Sequence, residues 1–211
     1  MNRQVISCLM VILLYATSGV AQSSSKRRSA SPSTGTITDI RQVDFLNFTY
    51  HSTLCSQEFG KKGIGKTVRV RKGEYKNTNV YFTVGDNKVV YGDVTGDGQE
   101  DAIVPISCGA ATANFSLSEI YIYTIKNGHA TLLAGISDND MERDYRHYYP
   151  DTESYWGVTG NDLSVKDGNL EIEVFVDGPH ASPQSIATLE YRLNGQSFQL
   201  IGKPEKKNSS E

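Results

Sequence analysis

Apolar and polar residues alternate over several short stretches of this chain, with the period of two that half-buried β-strands require. In residues 170–176 all the even positions are apolar, and two of the three odd positions are glutamates. In residues 68–71 valines alternate with arginines. Each stretch therefore predicts a strand with one apolar face and one wetter face.

Glycine-containing pairs that favour tight turns separate these strands. Asn-Gly and Asp-Gly pairs readily adopt the positive φ angles of two-residue hairpin turns. Four turn pairs of the chain are Lys72-Gly73, Asn127-Gly128, Asp167-Gly168 and Asn194-Gly195. Strand-like sequence flanks each pair, so the pattern predicts antiparallel hairpins, including a closing hairpin between residues 191–193 and 198–200.

The strand pattern extends through the whole middle of the chain. Residues 120–125 are apolar on both faces, which is typical of a central strand that is covered on each side. Pro105 lies in the strand-like segment 102–108 and lacks a backbone N–H, which suggests an edge or a bulge. No long segment has a clear helical period, and only a short helix near residues 38–45 is indicated. About ten short, regularly spaced strands predict a single antiparallel β-sandwich or barrel-like domain with little helix.

The two ends of the chain differ from this β-rich middle. Residues 1–21 hold one base, an apolar run and a small-residue cleavage site, which is the order of a secretory signal peptide. The apolar run is shorter than the roughly 20 residues of a membrane span, so no transmembrane segment is expected after cleavage. Residues 22–37 predict a flexible Ser-rich leader, residues 38–203 one β-rich domain, and residues 204–211 a polar tail. The predicted location is secreted or periplasmic.

Signal cleavage changes both the charge and the cysteine count of the chain. It removes one of the 21 bases and none of the 24 acids, so the mature surface is mildly acidic. No overall charge therefore favours nucleic acid or membrane as a partner. Cleavage also removes Cys8 and leaves Cys55 and Cys108. An even number of cysteines in an oxidising compartment favours one disulfide, with two separate buried thiols as the alternative.

An acidic loop at residues 93–101 is the most informative local motif. Oxygen-bearing side chains stand at its positions 1, 3, 5 and 9, and a glycine stands at position 6. Alternate residues of such a loop point oxygen atoms inward, where a hard cation offsets the repulsion among carboxylates. The loop predicts a calcium site or, alternatively, a tight turn held by side-chain-to-backbone hydrogen bonds. The candidate ligands are Asp93, Thr95, Asp97, Asp101 and the carbonyl of Gln99.

The same loop carries a family resemblance. It resembles the Asp-x-Asp-x-Asp-Gly-x-x-Asp loops of FG-GAP and VCBS-type β-propeller repeats, which hold calcium. Thr95 stands where those loops have an acid, and the loop occurs once, so the resemblance does not extend to a propeller. Residues 89–133 also resemble uncharacterised bacterial exported proteins and lipoproteins, in which a Gly-Asp-Gly turn leads into a strand ending near a Ser-Cys pair, here Ser107-Cys108. That second resemblance implies no activity.

Residues 60–67 match the Walker A pattern of nucleotide-binding proteins letter for letter. A Walker A loop binds phosphate because a strand enters it and a helix leaves it, with the helix N-terminus facing the anion. Here a strand-like segment, residues 68–71, follows the loop instead. We therefore expect no nucleotide at this position and interpret the segment as a glycine-lysine loop.

A basic stretch begins in this loop and continues beyond it. Its seven bases are Lys61, Lys62, Lys66, Arg69, Arg71, Lys72 and Lys76. They favour contact with an acidic polysaccharide, lipid headgroups or an acidic partner, or they form a solvated edge that discourages strand pairing. Aromatic residues do not alternate with these bases in the manner of proteins that stack on nucleobases, so no nucleic acid partner is expected.

Residues 138–156 combine six acids with five aromatic residues. A long irregular loop that keeps aromatic residues often binds a ligand. The alternative is a loop that folds over the sheet with its rings in a small core of its own. The aromatic candidates for a ligand surface are Tyr145, Tyr149, Tyr155 and Trp156.

Sequence motifs of catalysis are otherwise absent, since the chain has neither a Gly-x-Ser-x-Gly elbow nor a His-Glu-x-x-His motif. The chain is therefore interpreted as an exported, non-enzymatic β-domain that binds an unknown protein or glycan or contributes to the cell envelope. Two alternatives remain. One is a secreted hydrolase of polysaccharide or peptide that uses the acids of residues 138–153, and the other is a polyanion-binding module that uses the basic stretch.

Overall fold

A computed structural model describes residues 36–85, 89–113, 116–179 and 182–209, with every side chain in these ranges except those of residues 160–162. The predicted signal peptide and residues 22–35 of the predicted leader lie outside the described residues. Within them, thirteen strands form three antiparallel sheets, and two α-helices and three 3-10 helices accompany the sheets. The mainly β, sandwich-like fold is as predicted, with more strands than expected.

Two of the sheets lie in the first two thirds of the chain. The small sheet contains β1 (Thr49–His51) and β2 (Thr67–Arg69). The six strands of the first large sheet are β3 (Glu74–Lys76), β4 (Val80–Val84), β5 (Val90–Gly92), β6 (Asp101–Ala110), β7 (Ser116–Lys126) and β8 (His129–Ser137). Their order is β3-β4-β6-β7-β8, and β5 pairs with the part of β6 that β4 does not reach.

The second large sheet contains the remaining strands, in the order β12-β11-β10-β9, with β13 paired to β11 beyond the end of β12. These are β9 (Tyr155–Lys166), β10 (Asn169–Val176), β11 (Ser185–Asn194), β12 (Ser197–Leu200) and β13 (Glu205–Asn208).

Strand β13 lies in the segment that the sequence predicts to be a polar tail. All four of its residues are exposed, so it lacks the apolar face that an alternation pattern detects. Backbone pairing to β11 and ion pairs to Asp177 and Glu173 hold it in place.

The predicted hairpin turns are confirmed where β7 joins β8 and where β9 joins β10. Asn127 and Gly128 have φ angles of 52° and 75°, and Asp167 and Gly168 have φ angles of 50° and 77°. Positive φ at both central residues defines the turn type whose twist matches paired strands. The closing hairpin of β11 and β12 is also present.

Two α-helices, α1 (Leu54–Phe59) and α2 (Asp138–Tyr148), interrupt the strands. The prediction of an irregular loop is wrong for the residues of α2. The buried face of this helix consists of Asp138, Met141 and Tyr145. Because this face is narrow and one of its three residues is an acid, the sequence shows no clear helical period of apolar residues. The short helix expected near residues 38–45 is present as two 3-10 turns, Ile40–Gln42 and Phe45–Asn47, and a third 3-10 turn spans Gly60–Lys62.

None of the helices in the described part of the chain is long and apolar enough to cross a membrane.

Both faces of the first large sheet are buried. On one face, Tyr121 and Tyr123 of β7 pack with the N-terminal 3-10 turns, β1, β2 and α1. On the other face, Ile120 and Ile122 of the same strand pack against β10 and β11 of the second large sheet. The prediction of a central strand at residues 120–125 is therefore confirmed.

Pro105 lies in the middle of β6, opposite the gap between β4 and β5. Neither of these strands pairs with β6 at this position, so the missing N–H of Pro105 costs no ladder hydrogen bond to them.

Helix α1 is attached to this sheet by two interactions. Its N-cap residue, Thr53, makes no side-chain capping bond. Glu119 of β7, which is 2% exposed, caps the helix instead by accepting hydrogen bonds from the backbone N–H groups of Thr53, Leu54 and Cys55 at 3.2, 2.8 and 3.2 Å. The predicted disulfide is also present and joins Cys55 of α1 to Cys108 of β6, with a Cα–Cα distance of 6.0 Å.

Removal of the disulfide by Cys55→Ala and Cys108→Ala together should lower the free energy of unfolding by about 4 kcal/mol. The bridge closes a loop with a sequence separation of 53 residues, and opening it restores the chain entropy of the unfolded state. Urea denaturation of the oxidised wild type and the double variant measures the difference. Equal midpoints would show that the bridge adds nothing to stability.

Candidate functional site

The acidic loop joins β5 to β6 in a hairpin, as its flanking strand pattern predicts. The Asp93 carboxylate accepts hydrogen bonds from the backbone N–H groups of Gly96, Gly98 and Asp97 at 2.6, 2.8 and 3.3 Å, and from the Thr95 hydroxyl at 3.2 Å. Burial raises the pKa of Asp93, but these hydrogen bonds lower it more, so its pKa lies below the usual value. Asp93 therefore organises the turn.

The other candidate ligands have different surroundings. Asp101 is fully buried, and its Oδ2 accepts hydrogen bonds from the N–H groups of Val94 and Thr95 at 3.1 and 3.2 Å. Burial raises the pKa of the Asp101 carboxyl, whose Oδ1 has no hydrogen-bond partner among the described residues. Asp97 is exposed and accepts a hydrogen bond from the N–H of Gln99 at 2.8 Å.

Within the described residues, no group of three His, Cys, Asp or Glu side chains is placed to hold a metal ion. Calcium at this loop stays a prediction. The alternative, a turn held by side-chain-to-backbone hydrogen bonds, accounts for the contacts that Asp93 makes.

Replacement of Asp93 by Ala distinguishes the two interpretations. The turn interpretation predicts that Asp93→Ala lowers the thermal midpoint of unfolding equally with calcium and with EDTA, because four donors lose their shared acceptor. Asp97→Ala removes one hydrogen bond and serves as the matched control, with a much smaller effect. The calcium hypothesis instead predicts that EDTA lowers the midpoint of the calcium-loaded wild type and that Asp97→Ala abolishes this response. Scanning calorimetry of the three proteins decides between them.

The Walker-like segment has the reverse order of elements from a phosphate-binding loop. Helix α1 precedes it, the 3-10 turn Gly60–Lys62 forms its first three residues, and strand β2 begins at its last residue, Thr67. The predicted strand after the loop is therefore present. No helix N-terminus leaves the loop to face a phosphate, which is the feature on which the Walker A motif depends.

The four aromatic candidates of residues 138–156 do not form one exposed surface. Tyr145 is fully buried, so it belongs to the core and not to a ligand surface. The Tyr149 ring stacks on the Tyr145 ring at 4.9 Å, and its hydroxyl donates to the carbonyl of Pro204 at 2.8 Å. Tyr155 is half-buried, whereas Trp156 is 37% exposed. Of the four candidates, Trp156 is therefore the one that faces solvent.

A β-bulge sets the position of Trp156. Tyr155 pairs with Val176 and Gly157 pairs with Phe175, which leaves Trp156 as the extra residue. Bulges redirect side chains and occur often beside binding sites. Gly157 has a φ of +89°, and a Cβ atom there would lie 3.2 Å from Asp138 Oδ1. Glycine therefore allows both the bulge and the close approach of β9 to the start of α2.

The bulge borders a pocket of about 190 Å³, which we call the α2 pocket. The residues that line it come from the start of β7, from the first turns of α2 and from the start of β9, and they include Ser116, Asp138, Asn139, Glu142, Tyr155 and Trp156. Three elements that are distant in sequence thus meet around one buried carboxylate and one exposed indole.

Asp138 is the buried ionisable group of this pocket. It is 8% exposed, its Oδ2 accepts a hydrogen bond from the N–H of Ser118, and its Oδ1 has no hydrogen-bond partner among the described residues. Burial raises the pKa of Asp138 from 3.8 to about 7; hydrogen bonds from Ser118 oppose this effect, and the charges of Glu142 and Glu119 add to it. The Tyr155 hydroxyl is also buried without a partner among these residues. Burial, followed by the charge of Asp138, raises the pKa of Tyr155.

Glu142 is the second carboxylate of the α2 pocket. It lies one helical turn after Asp138, a spacing that places the two Cβ atoms about 6 Å apart on one helix face. Its carboxylate accepts a hydrogen bond from Arg146 Nε at 2.8 Å, and both side chains of this ion pair are more than one third exposed. The pocket therefore combines a buried carboxyl group with an exposed, paired carboxylate.

Three larger pockets lack this combination. The acids that line a pocket of about 290 Å³ are both exposed and both contact Arg41, since Glu100 forms an ion pair with it and Asp39 accepts a hydrogen bond from its N–H at 2.8 Å. The carboxylates of a pocket of about 330 Å³ are already paired, since Glu119 caps α1 and Asp140 contacts Arg143 at 2.7 Å. The lining of a pocket of about 230 Å³, which includes Pro105 and Ser107, contains no ionisable side chain. We therefore take the α2 pocket as the candidate functional site.

A scan against protein-family models finds no match, and searches of curated proteins and of solved structures also find none.

The sequence contained a signal for α2 that period alone does not reveal. Ser137 and Asp140 form a capping box, in which the Ser137 hydroxyl and the Asp140 carboxylate each bond to the other residue's backbone N–H. The pattern Ser-x-x-Asp marks helix starts and predicts a helix from residue 138. No sequence signal marks Ser116 and Gly157 as residues of the α2 pocket, because only the folded chain brings β7 and β9 to this helix.

Asp138 should make the stability of the protein depend on pH. Its folded-state pKa of about 7 lies above the ordinary value of 3.8, so the folded state holds a proton that the unfolded chain releases. The contribution of this group to the free energy of unfolding therefore falls as the pH rises from about 4 to about 7, by on the order of 4 kcal/mol. Asp138→Asn cannot ionise and should remove this part of the dependence.

Urea denaturation of the wild type, Asp138→Asn and the exposed control Asp151→Asn at pH 4, 5.5 and 7.5 measures this effect. The difference between wild type and Asp138→Asn should change with pH, while the difference for the control stays constant. Parallel pH curves for the wild type and Asp138→Asn would contradict the burial argument.

Proposed function

We propose that this chain is an exported binding protein without catalytic activity, and that the α2 pocket takes a neutral sugar unit of a glycan. The observation that carries the proposal is the buried Asp138 carboxyl, whose Oδ1 lacks a partner among the described residues, in a pocket bordered by the exposed Trp156. Export rests on the sequence pattern of residues 1–21.

The unpartnered carboxyl oxygen supports a polar ligand. A buried polar atom without a hydrogen bond lowers the stability of the folded state by about 1–3 kcal/mol. Folded proteins therefore keep such an atom mainly where a ligand or a water molecule supplies the missing hydrogen bond. A carboxyl group with a pKa of about 7 is present in both protonation states near neutral pH. Asp138 can therefore accept a hydrogen bond from a sugar hydroxyl or donate one to it.

The exposed indole and the size of the pocket support a sugar ring. Trp156 is fixed by the bulge and by a hydrogen bond from its Nε1 to the carbonyl of Gly178 at 3.0 Å. A fixed aromatic face gives contact area to the apolar side of a sugar at little cost in entropy. The volume of about 190 Å³ is below the range of roughly 300–1,000 Å³ typical of drug-sized ligands. One sugar unit is therefore the expected occupant.

A hydrolase is the second candidate function, and the pair Asp138 and Glu142 favours it. Glycosidases use two carboxyl groups, of which one has a raised pKa and acts as general acid. Asp138 has such a pKa, and Glu142 lines the same pocket. The ion pair between Glu142 and Arg146 weakens this candidate, since it engages the carboxylate that would act as base or nucleophile.

Fluorescence titration tests sugar binding directly, because Trp156 is the one tryptophan of the chain. The wild type is titrated with glucose, N-acetylglucosamine and their β-linked disaccharides. We expect a saturable change in emission for at least one sugar, and roughly tenfold weaker binding for Asp138→Ala because a hydrogen bond to a carboxyl group is lost. Tyr148→Ala is the matched control, since Tyr148 is 38% exposed and does not line the α2 pocket.

Two results would reject the binding proposal: no saturable response with any sugar, or equal affinities for Asp138→Ala and Tyr148→Ala. Chromatography of the same sugar mixtures after incubation separates binding from hydrolysis. Intact sugars support the binding protein. Shortened products that disappear in both Asp138→Asn and Glu142→Gln would support the hydrolase instead.

A further inference from the structure

We propose that the basic stretch of residues 61–76 is a second binding site, independent of the α2 pocket, whose partner is an anionic polysaccharide with carboxylate or sulfate groups. All seven bases of the stretch are exposed. Glu74 is the one acid between residues 61 and 76. The stretch therefore has a strong positive charge on a chain that is acidic overall.

The charges of the stretch are not paired with acids in the part of the chain that the structure describes. None of its seven bases forms an ion pair with a residue in the described part of the chain. The ion pairs of that part use other bases, namely Arg41, Arg143, Arg146, Lys166, Lys206 and Lys207. Unpaired charges that share one sign repel each other, and an anionic partner relieves this repulsion.

Alternation through β2 and the two residues that follow it fixes the direction of two of these charges. Val68 and Val70 are buried, so Arg69 and Arg71 both point away from the core. Two residues of a strand span about 7 Å, which lets one extended anionic chain contact both guanidinium groups. Across the small sheet, Thr49 pairs with Arg69 and adds a hydroxyl to the same outer face. This face is polar and positively charged.

The stretch is held by the fold and is not a free arm. The carbonyl oxygen of Lys66 accepts a hydrogen bond from the N–H of Ser52 at 2.9 Å, and Ile64 is buried. The hydroxyl of Tyr75 donates to the carbonyl of Gly63 at 3.1 Å. Groups that are already ordered lose less entropy on binding than groups on a flexible chain.

The surroundings favour a polysaccharide over two other polyanions. Insertion into a lipid surface needs exposed apolar side chains, and recognition of single-stranded nucleic acid needs exposed aromatic faces. In the described part of the chain, the exposed large hydrophobic residues are Tyr148 and Trp156, and neither lies in the basic stretch. Guanidinium and ammonium groups beside hydroxyls instead suit the carboxylates, sulfates and hydroxyls of an acidic sugar chain.

Heparin is the probe for this site, and its affinity is measured by calorimetry and by salt elution from a heparin column. We expect binding that weakens as salt rises, and a loss of roughly tenfold in affinity for the double variant Arg69→Ala with Arg71→Ala. The matched control is Lys126→Ala with Lys166→Ala, which removes the same charge from exposed positions elsewhere. Circular dichroism melting checks that both double variants are folded.

Equal heparin affinity for the two double variants, or no binding by the folded wild type, would overturn the proposal. Vesicles of phosphatidylglycerol and single-stranded DNA are tested in the same way. Tighter binding of either one than of heparin would assign the stretch to another class of partner. Asp138→Ala should leave heparin affinity unchanged, so a failure at this site and a failure at the α2 pocket are told apart.

Discussion

The burial of the first large sheet on both faces is the constraint on which the other parts of the structure depend. Strand β7 contributes Tyr121 and Tyr123 to one core and Ile120 and Ile122 to the other. An antiparallel sheet of this kind needs a cover on each side, because its exposed apolar face would otherwise meet water. The N-terminal segments supply one cover, and the second large sheet with α2 supplies the other.

Polar groups also enter these cores, and the contrast between two acids shows how they are accommodated. Glu119 is buried on the side of α1, where three backbone N–H groups satisfy its carboxylate. Asp138 is buried on the opposite side, where its Oδ1 has no partner among the described residues and its pKa rises to about 7. The first acid caps a helix, whereas the second lines the α2 pocket with one carboxyl oxygen that lacks a partner among the described residues.

The candidate site was partly accessible to sequence reasoning. Asp138, Glu142, Tyr155 and Trp156 all lie in the segment that composition marks as unusual, since acids and aromatic residues are concentrated there. Their roles were not accessible, because Tyr145 fills the core while Trp156 reaches solvent through a bulge. The pairing of β9 with β10 creates that bulge, and no local pattern encodes it.

The sequence by itself determined the strand-rich class, the hairpin turns and the position of the acidic loop, because alternation and turn chemistry are local properties. It also identified the only two cysteines left after the predicted cleavage, although their approach within 6.0 Å depends on the packing of α1 against β6. Tertiary structure alone decided which acids are buried, since burial requires segments distant in the chain to meet. The raised pKa of Asp138 and the α2 pocket both result from this packing, in which β7, α2 and β9 surround one carboxyl group and bury most of it.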